Sequence, residues 1–286
     1  MRDLHLALRR DMCDFDQKKE QLLIKMSEYA SQDVIVAFSG GVDSTLLLKI
    51  ACDMAKESGA SVYAVTMKTK LHPMGEIEEA KKICEEMKAE HIVITVDELK
   101  EAGIMDNPID RCYLCKKHLF TKIKELAAKL GISRILEGTN EDDLHVYRPG
   151  IRALRELAII SPLAEAGFTK EEVRKLASWY GLKTASKPST PCLATRFPYG
   201  TELTYKDMER VDKGEGYLRT IGLHNIRIRV HGTTARIEVD EEAFMEVIRR
   251  KKEITACLKE LGFIYITLDL EGFRSGSMDI GINDEV

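Results

Sequence analysis

The feature that most constrains this chain is a short apolar run, Asp33-Val34-Ile35-Val36-Ala37-Phe38, followed at once by Ser39-Gly40-Gly41-Val42-Asp43-Ser44 and a helix-patterned segment. A β-branched run without polar alternation reads as a strand buried on both faces. Glycines at its end let backbone N–H groups approach an anion, and the helix that follows turns its positive end to the same point. Ser39 and Ser44 can donate hydroxyl hydrogen bonds to phosphate oxygens, and Asp43 can hold a magnesium ion on them. The loop is not a Walker A sequence, nor does it carry the dinucleotide fingerprint. A plain Gly-Gly turn joining strand to helix is the plainer alternative.

Further apolar runs lie at 61–67, 91–96 and 134–137, with helix-patterned segments at 43–57, 76–89 and 116–130 between them and an amphipathic opening helix over 14–30. Strands alternating with helices of this length predict βαβ units and a parallel sheet, an α/β fold flanked by helices. Thr169 with Glu172 three residues on signals a helix start, and the helix is expected over 169–180. Residues 184–200 hold three prolines and many small polar residues, so an irregular loop is expected. A helix near 204–221 and two alternating strands, 226–230 and 235–239, follow. A long helix over 241–260 and a strand over 263–270 complete an α-β-β-α-β unit. With 286 residues, two domains are expected: 1–185 around the loop and a smaller α+β domain, 186–286, with Cys192 at the junction.

Formal net charge is -4, from 43 Lys+Arg against 47 Asp+Glu, which argues against an obligate nucleic-acid binder. The polar start Met1-Arg2-Asp3-Leu4-His5 is unlike a signal peptide, and no apolar stretch approaches a membrane span. A cytoplasmic location is expected. Seven cysteines, an odd number, then speak against a disulfide framework. Cys13, Cys52, Cys84 and Cys257 fall in helix-like segments and read as buried structural thiols.

Cys112 and Cys115 are different. They stand at C-x-x-C spacing beside Arg111, Lys116 and Lys117, where positive charge favours thiolate. Such a pair fits half a zinc site, a redox pair or cluster ligands. With Cys192, about 80 residues on, the trio is one short of a closed zinc site. Iron–sulfur clusters normally take four thiolates, so three would leave one iron open.

The loop resembles that of the PP-loop ATP-pyrophosphatases, which include NAD and GMP synthetases, asparagine synthetase and tRNA thiolation enzymes. That resemblance implies ATP cleavage between the α and β phosphates, AMP passing to an acceptor oxygen. Glu137-Gly138-Thr139-Asn140 is similar to the family's second nucleotide turn, and Met67 to its adenine contact. Asn107 to Lys116, Glu137 to Asp143, Ser161-Pro162-Leu163, Pro191 to Gly200 and Arg274-Ser275-Gly276-Ser277-Met278 resemble, in order, the LarE family. Those are the pyridinium-3,5-biscarboxylic acid mononucleotide sulfurtransferases. The resemblance implies adenylation of two pyridinium carboxylates and their conversion to thiocarboxylates, for the nickel-pincer cofactor of lactate racemase. Some members sacrifice the sulfur of the cysteine matching Cys192. Others carry the extra pair and resemble [4Fe-4S] proteins whose open iron carries sulfide. Cys112, Cys115 and Cys192 match the second group.

By the same resemblance, Ser39, Gly40, Gly41, Asp43, Ser44, Met67, Gly138, Thr139 and Asn140 bind ATP, with Mg2+ at Asp43. Arg196, Arg227 and Arg229 bind the substrate's phosphate and carboxylates, since arginine matches such groups bidentately. From spacing alone, a solvated strand face is the equal alternative for Arg227 and Arg229. Glu215 is a candidate metal ligand; Arg274, beside two serines, is a candidate for phosphate or belongs to a plain C-terminal turn. A symmetric homo-oligomer such as a hexamer is implied, with sulfide or another sulfur donor and no nucleic acid or membrane partner. A tRNA thiolation enzyme, an NAD- or GMP-synthetase-like amidotransferase and a non-catalytic nucleotide sensor are the alternatives.

Overall fold

The computed structural model describes residues 2–71, 75–146, 148–188, 191–274 and 276–278, with the side chains of residues 2–13 outside that description. Two compact units emerge. The first comprises Met1–Thr69, Met74–Asp97 and Cys112–Ser189, and the second Lys70–Pro73, Glu98–Arg111 and Thr190–Val286.

The first unit holds a four-stranded parallel sheet: β1 (Val34–Ala37), β2 (Val62–Lys68), β3 (Glu90–Thr95) and β4 (Arg134–Leu136), in the order β3-β2-β1-β4. Alternation along β1 feeds two cores. Val34 and Val36 pack with Leu46, Leu47, Phe168 and Leu176 on one face. Ile35 packs with Val65, Phe120, Ile123 and Ile135 on the other. Burial on both faces is why β1 reads as an unbroken apolar run, while the edge strand β3 is only half-buried. The helices Arg2–Tyr29, Val42–Ser58, Glu76–Met87, Arg111–Leu130 and Lys170–Trp179 cover the sheet, so the α/β expectation holds. Three short helices here, Glu141–Leu144, Gly150–Glu156 and Pro162–Glu165, and Glu98–Glu101 in the second unit were not expected, because one or two turns leave no periodic pattern.

The second unit is built on β5 (Ile226–His231), β6 (Thr234–Val239) and β7 (Tyr265–Leu268); β5 and β6 form the expected hairpin and β7 joins β6 in parallel. Against β5 lies the helix Tyr205–Thr220, so closely that a Cβ on Gly214 would come within 2.7 Å of Ile228 Cδ1. The single long helix expected over 241–260 is broken. A 3-10 turn, Glu241–Ala243, precedes the helices Phe244–Arg249 and Lys251–Glu260, which part at Arg250 (φ -92, ψ 14). No proline or glycine marks that break; it falls in the four-cation run Arg249–Lys252, where Arg249 and Arg250 pair back to Glu246 and Arg250 also forward to Glu253.

The Pro-rich segment folds into 3-10 turns at Lys183–Ser186 and Leu193–Arg196. Its second half gains order from earlier backbone of the same unit. Leu193 N–H donates to Leu71 O at 2.8 Å, Gly200 N–H to Asn107 O at 2.9 Å and Leu203 N–H to Met105 O at 2.7 Å. Asn107 returns its side-chain amide to Phe197 O and Pro198 O.

Thr169 caps the helix Lys170–Trp179 as its sequence signature predicts, accepting from Glu172 N while Glu172 accepts from Thr169 N. Thr169→Ala should lower unfolding free energy by about 1 kcal/mol and Thr169→Ser should be near neutral, as measured by urea denaturation.

Candidate active site

β1 and β4 are neighbours, and the chain leaves the sheet from their carboxyl ends in different directions, the crevice where α/β sheets bind ligands. At the end of β1, Gly40 adopts a left-handed φ of 71° and Gly41 caps the helix Val42–Ser58 without any side-chain hydrogen bond. The first N–H groups of that helix therefore keep their capacity for an external acceptor. The hydroxyls of Ser39 and Ser44 lie 3.2 Å apart, and Ser44 also bonds Gly41 O, which shapes the loop from within. Asp43 is held at both oxygens, by Asn140 Nδ2 at 3.2 Å and Lys170 Nζ at 2.5 Å.

The turn after β4 closes on this loop. A Cβ on Gly138 would lie 2.9 Å from Asp43 Cβ and 3.1 Å from Ser44 N, so only glycine permits the approach. Buried Glu137 organises the turn. It accepts from Thr139 N at 2.9 Å, Thr139 Oγ1 at 2.8 Å and Ser161 Oγ at 2.5 Å, with Lys116 Nζ at 3.6 Å. Thr139 and Asn140 are themselves buried, and Asn140 caps the helix Glu141–Leu144. Met67, half-buried, stands next to the end of β2. The loop, Asp43 and the Gly138–Asn140 turn are thus brought together. Two lysines that sequence reasoning missed join them: Lys170 at Asp43, and Lys187, whose Nζ donates to Gly40 O at 3.2 Å and pairs with Glu79 at 2.7 Å. Their partners lie 127 and 147 residues away in sequence, beyond any local pattern.

Cys112 and Cys115 lie in the first turns of the helix Arg111–Leu130, three residues apart and so on one side of it. Cys112 is exposed and Cys115 half-buried. Cys52 and Cys84 are buried, which pushes their thiols up to about 11 and about 12. They are structural thiols, as expected; the side chain of Cys13 is outside the described residues. Among the described residues no three His, Cys, Asp or Glu side chains converge to hold a metal ion.

In the second unit, half-buried Cys192 opens the 3-10 turn Leu193–Arg196. Its carbonyl accepts from Thr195 Oγ1 at 2.7 Å and Arg196 Nη1 at 3.3 Å. Arg196 is completely buried, and its Nε and Nη2 grip Glu215 at 2.9 and 3.0 Å. The expectation that Arg196 contacts substrate is revised: its donors are engaged by Glu215, Thr195 and the carbonyls of Pro191 and Cys192. Glu215 likewise departs from its role as candidate metal ligand. Burial pushes its carboxyl up, but the hydrogen bonds and charge of Arg196 more than offset this and hold it below the usual range. Arg219 and Ile228 N–H engage it as well.

Arg227 and Arg229 share one face of β5, while Ile226 and Ile228 point into the core. Arg229 pairs with Glu238 at 2.9 Å and donates to Thr195 O at 2.8 Å, beside the Cys192 turn. Among the described residues Arg227 makes no ion pair; it donates to Ile226 O and lies over the Phe273 ring. Burial, with Arg196 and Arg229 nearby, pushes its guanidinium down to about 10. The carboxylate charge of Glu215 offsets part of that shift. Arg274 pairs with Asp269 and Glu271; Ser275 of its segment is outside the described residues.

Gly138→Ala should weaken ATP binding at least tenfold, about 1.4 kcal/mol, in calorimetric titrations, with the circular dichroism spectrum unchanged. Glu215→Gln, which strands Arg196, should cost roughly 3–5 kcal/mol in denaturant melts. The contribution of Glu215 is complete above its ordinary 4.5 and is lost as pH falls through the lower folded value. Acid melts should therefore be steeper for the unaltered chain than for E215Q.

Comparison with known proteins now meets this geometry. A family model described as a PP-loop domain matches residues 13–145. The pyridinium-3,5-bisthiocarboxylic acid mononucleotide synthase of Lactiplantibacillus plantarum is 37% identical over 268 residues, 94% of this chain and 96% of that one. An uncharacterized protein of Synechocystis is 38% identical over 247 residues, 86% and 91% of the two chains. The tRNA-specific 2-thiouridylase of Rickettsia bellii is 26% identical over 197 residues, 55% of this chain and 52% of its own. Identity at that level along nearly the whole of both chains, joined to the phosphate loop built above, means that the chain belongs to the LarE family of PP-loop, ATP-dependent sulfurtransferases.

Proposed function

We propose that the chain converts the carboxylates of pyridinium-3,5-biscarboxylic acid mononucleotide to thiocarboxylates, toward the nickel-pincer cofactor of lactate racemases. The observation that carries this reading is the arrangement around Cys192. A thiol stands on a turn held by Arg196 and Arg229, and the strand that carries Arg229 also presents Arg227, which makes no ion pair among the described residues. A substrate with a phosphate and two carboxylates matches such a surplus.

The first unit would activate the substrate. N–H groups at Gly40 and Gly41 and the hydroxyls of Ser39 and Ser44 hold the phosphates; Asp43, neutralised by Lys170, offers its carboxylate to Mg2+ on them. Met67 and the Gly138–Asn140 turn border the nucleoside. A substrate carboxylate oxygen bonds to the α phosphorus and pyrophosphate leaves, so the oxide, a poor leaving group, becomes AMP. Sulfur then bonds to the acyl carbon and AMP departs with the oxygen.

Cys112, Cys115 and Cys192 would hold a [4Fe-4S] cluster, which when bound supplies sulfide from an iron without a protein ligand. The donor chemistry fits: these three thiols are less enclosed than Cys52 and Cys84, and Cys112 and Cys115 sit at the positive end of a helix, which favours anionic ligands. Arg227 and Arg229 would bind the substrate's anions, while Arg196 and Glu215 position the Cys192 turn. The same reading takes the enzyme as a cytoplasmic, symmetric homo-oligomer.

Anaerobic purification with iron and sulfide counts, then assay with the pyridinium substrate, ATP and sulfide, is the test. Brown protein that makes more than one thiocarboxylate per chain is expected, and Cys112→Ala should bleach it. Colourless protein that loses the mass of one sulfur at Cys192 would put a sacrificial cysteine in place of the cluster. A gel shift with tRNA and no thiocarboxylate would favour the tRNA thiolation reading, to which the Rickettsia relative points.

A further inference from the structure

We infer that Lys187 is a further residue of the nucleotide site, delivering its ammonium to the polyphosphate of ATP, and that Glu79 holds it beside the loop until the nucleotide arrives. The inference rests on the ATP reading above and adds to it the group that meets the departing charge.

The need for such a group follows from the loop's own chemistry. Ser39 to Ser44 contains no lysine or arginine, unlike a Walker A loop, whose lysine reaches the β and γ phosphates. Its charged member is acidic, and the cation nearest to that member, Lys170, is engaged at Asp43. Beside the Mg2+ that Asp43 would hold, the loop itself offers only backbone N–H groups and two hydroxyls to a multiply charged triphosphate. As the carboxylate oxygen bonds to the α phosphorus, the bond from that phosphorus to the bridging oxygen of the β phosphate breaks. The electron pair leaves on pyrophosphate, and a fixed cation there stabilises the transition state more than the ground state.

Lys187 is placed for that task. Its Nζ lies 3.2 Å from Gly40 O, so the ammonium is already at the mouth of the loop. Its backbone is fixed independently: Arg174 donates to Lys187 O at 2.9 Å and to Ala185 O at 2.5 Å. Glu79 belongs to the first turn of the helix Glu76–Met87, and the next residue, Ala80, packs on Gly40. Glu79 is 50% exposed, and an ion pair so open to water is held only weakly. Exchanging that carboxylate for phosphate oxygens, with the lysine backbone unmoved, therefore costs little. A pair that served only stability would gain nothing from being anchored so firmly on one side and so weakly on the other.

The test is isothermal titration of ATP, AMP and inorganic pyrophosphate, each with Mg2+, into the full chain and into K187M, K187R and E79Q. K187M should bind ATP and pyrophosphate at least about tenfold more weakly and AMP within about twofold of the unaltered chain. K187R should recover part of the loss. E79Q, which frees the ammonium, should bind ATP more tightly than the unaltered chain, a change of sign that a merely structural pair would not give. K187M that binds ATP undiminished, or that loses AMP as much as ATP, would overturn the inference. An unaltered chain that binds no ATP would instead sink the nucleotide reading itself, and Lys187 with it.

Discussion

The approach of Gly138 to the first turn of the helix Val42–Ser58 is the constraint on which the nucleotide site depends. A side chain there would strike Asp43 Cβ and the backbone of Ser44, neither of which can yield without moving the helix. That closeness lets Asn140, two residues on, reach Asp43, and it sets two turns from adjacent parallel strands edge to edge. Glu137 makes the arrangement rigid. Buried and accepting from Thr139 and Ser161, it turns the end of β4 into a fixed corner. The Ser161-Pro162-Leu163 segment, which matched the family only as a string of letters, has its physical reason in that hydrogen bond.

The second unit solves a different problem, the burial of charge. Glu215 and Glu238 are completely buried, and each is satisfied by arginines rather than by water. A buried carboxylate so engaged is costly to assemble and costlier to disturb, so such pairs hold geometry more than they add stability. Here the geometry held is that of the Cys192 turn, through Arg196 on one side and Arg229 on the other. Arg227 lies in the same field, its charge opposed by burial and by Arg196 and Arg229 and supported in part by Glu215.

Local signals carried much of the fold. The four strands of the parallel sheet, the longer helices between them, the Thr169 cap and the β5–β6 hairpin were all legible, because each is written in a few consecutive residues. Residues whose roles depend on distant partners were not. Lys170 and Lys187 look like ordinary surface lysines until the chain brings them to Asp43 and Gly40. Arg196 and Glu215 were legible as important and misread in kind, because nothing in sequence tells a guanidinium aimed at a ligand from one buried against a carboxylate. The break at Arg250 was hidden for the opposite reason: amphipathic periodicity runs across it without interruption.

Net charge sharpens the choice of ligand. The chain carries -4 overall, yet Arg196, Arg219, Arg227, Arg229 and Arg236 gather around one cysteine turn and two glutamates. A polyanion such as tRNA is gripped by many exposed cations spread along its backbone, with affinity that grows with the number of phosphates neutralised. Cations that are 0% and 4% exposed, as Arg196 and Arg229 are, cannot be lined up along a strand of RNA. They can set the field inside a small polar site, where burial makes each charge count for more than it would in water. Drawn inward against Glu215 and Glu238, Arg196 and Arg229 fix the turn that carries the thiol of Cys192.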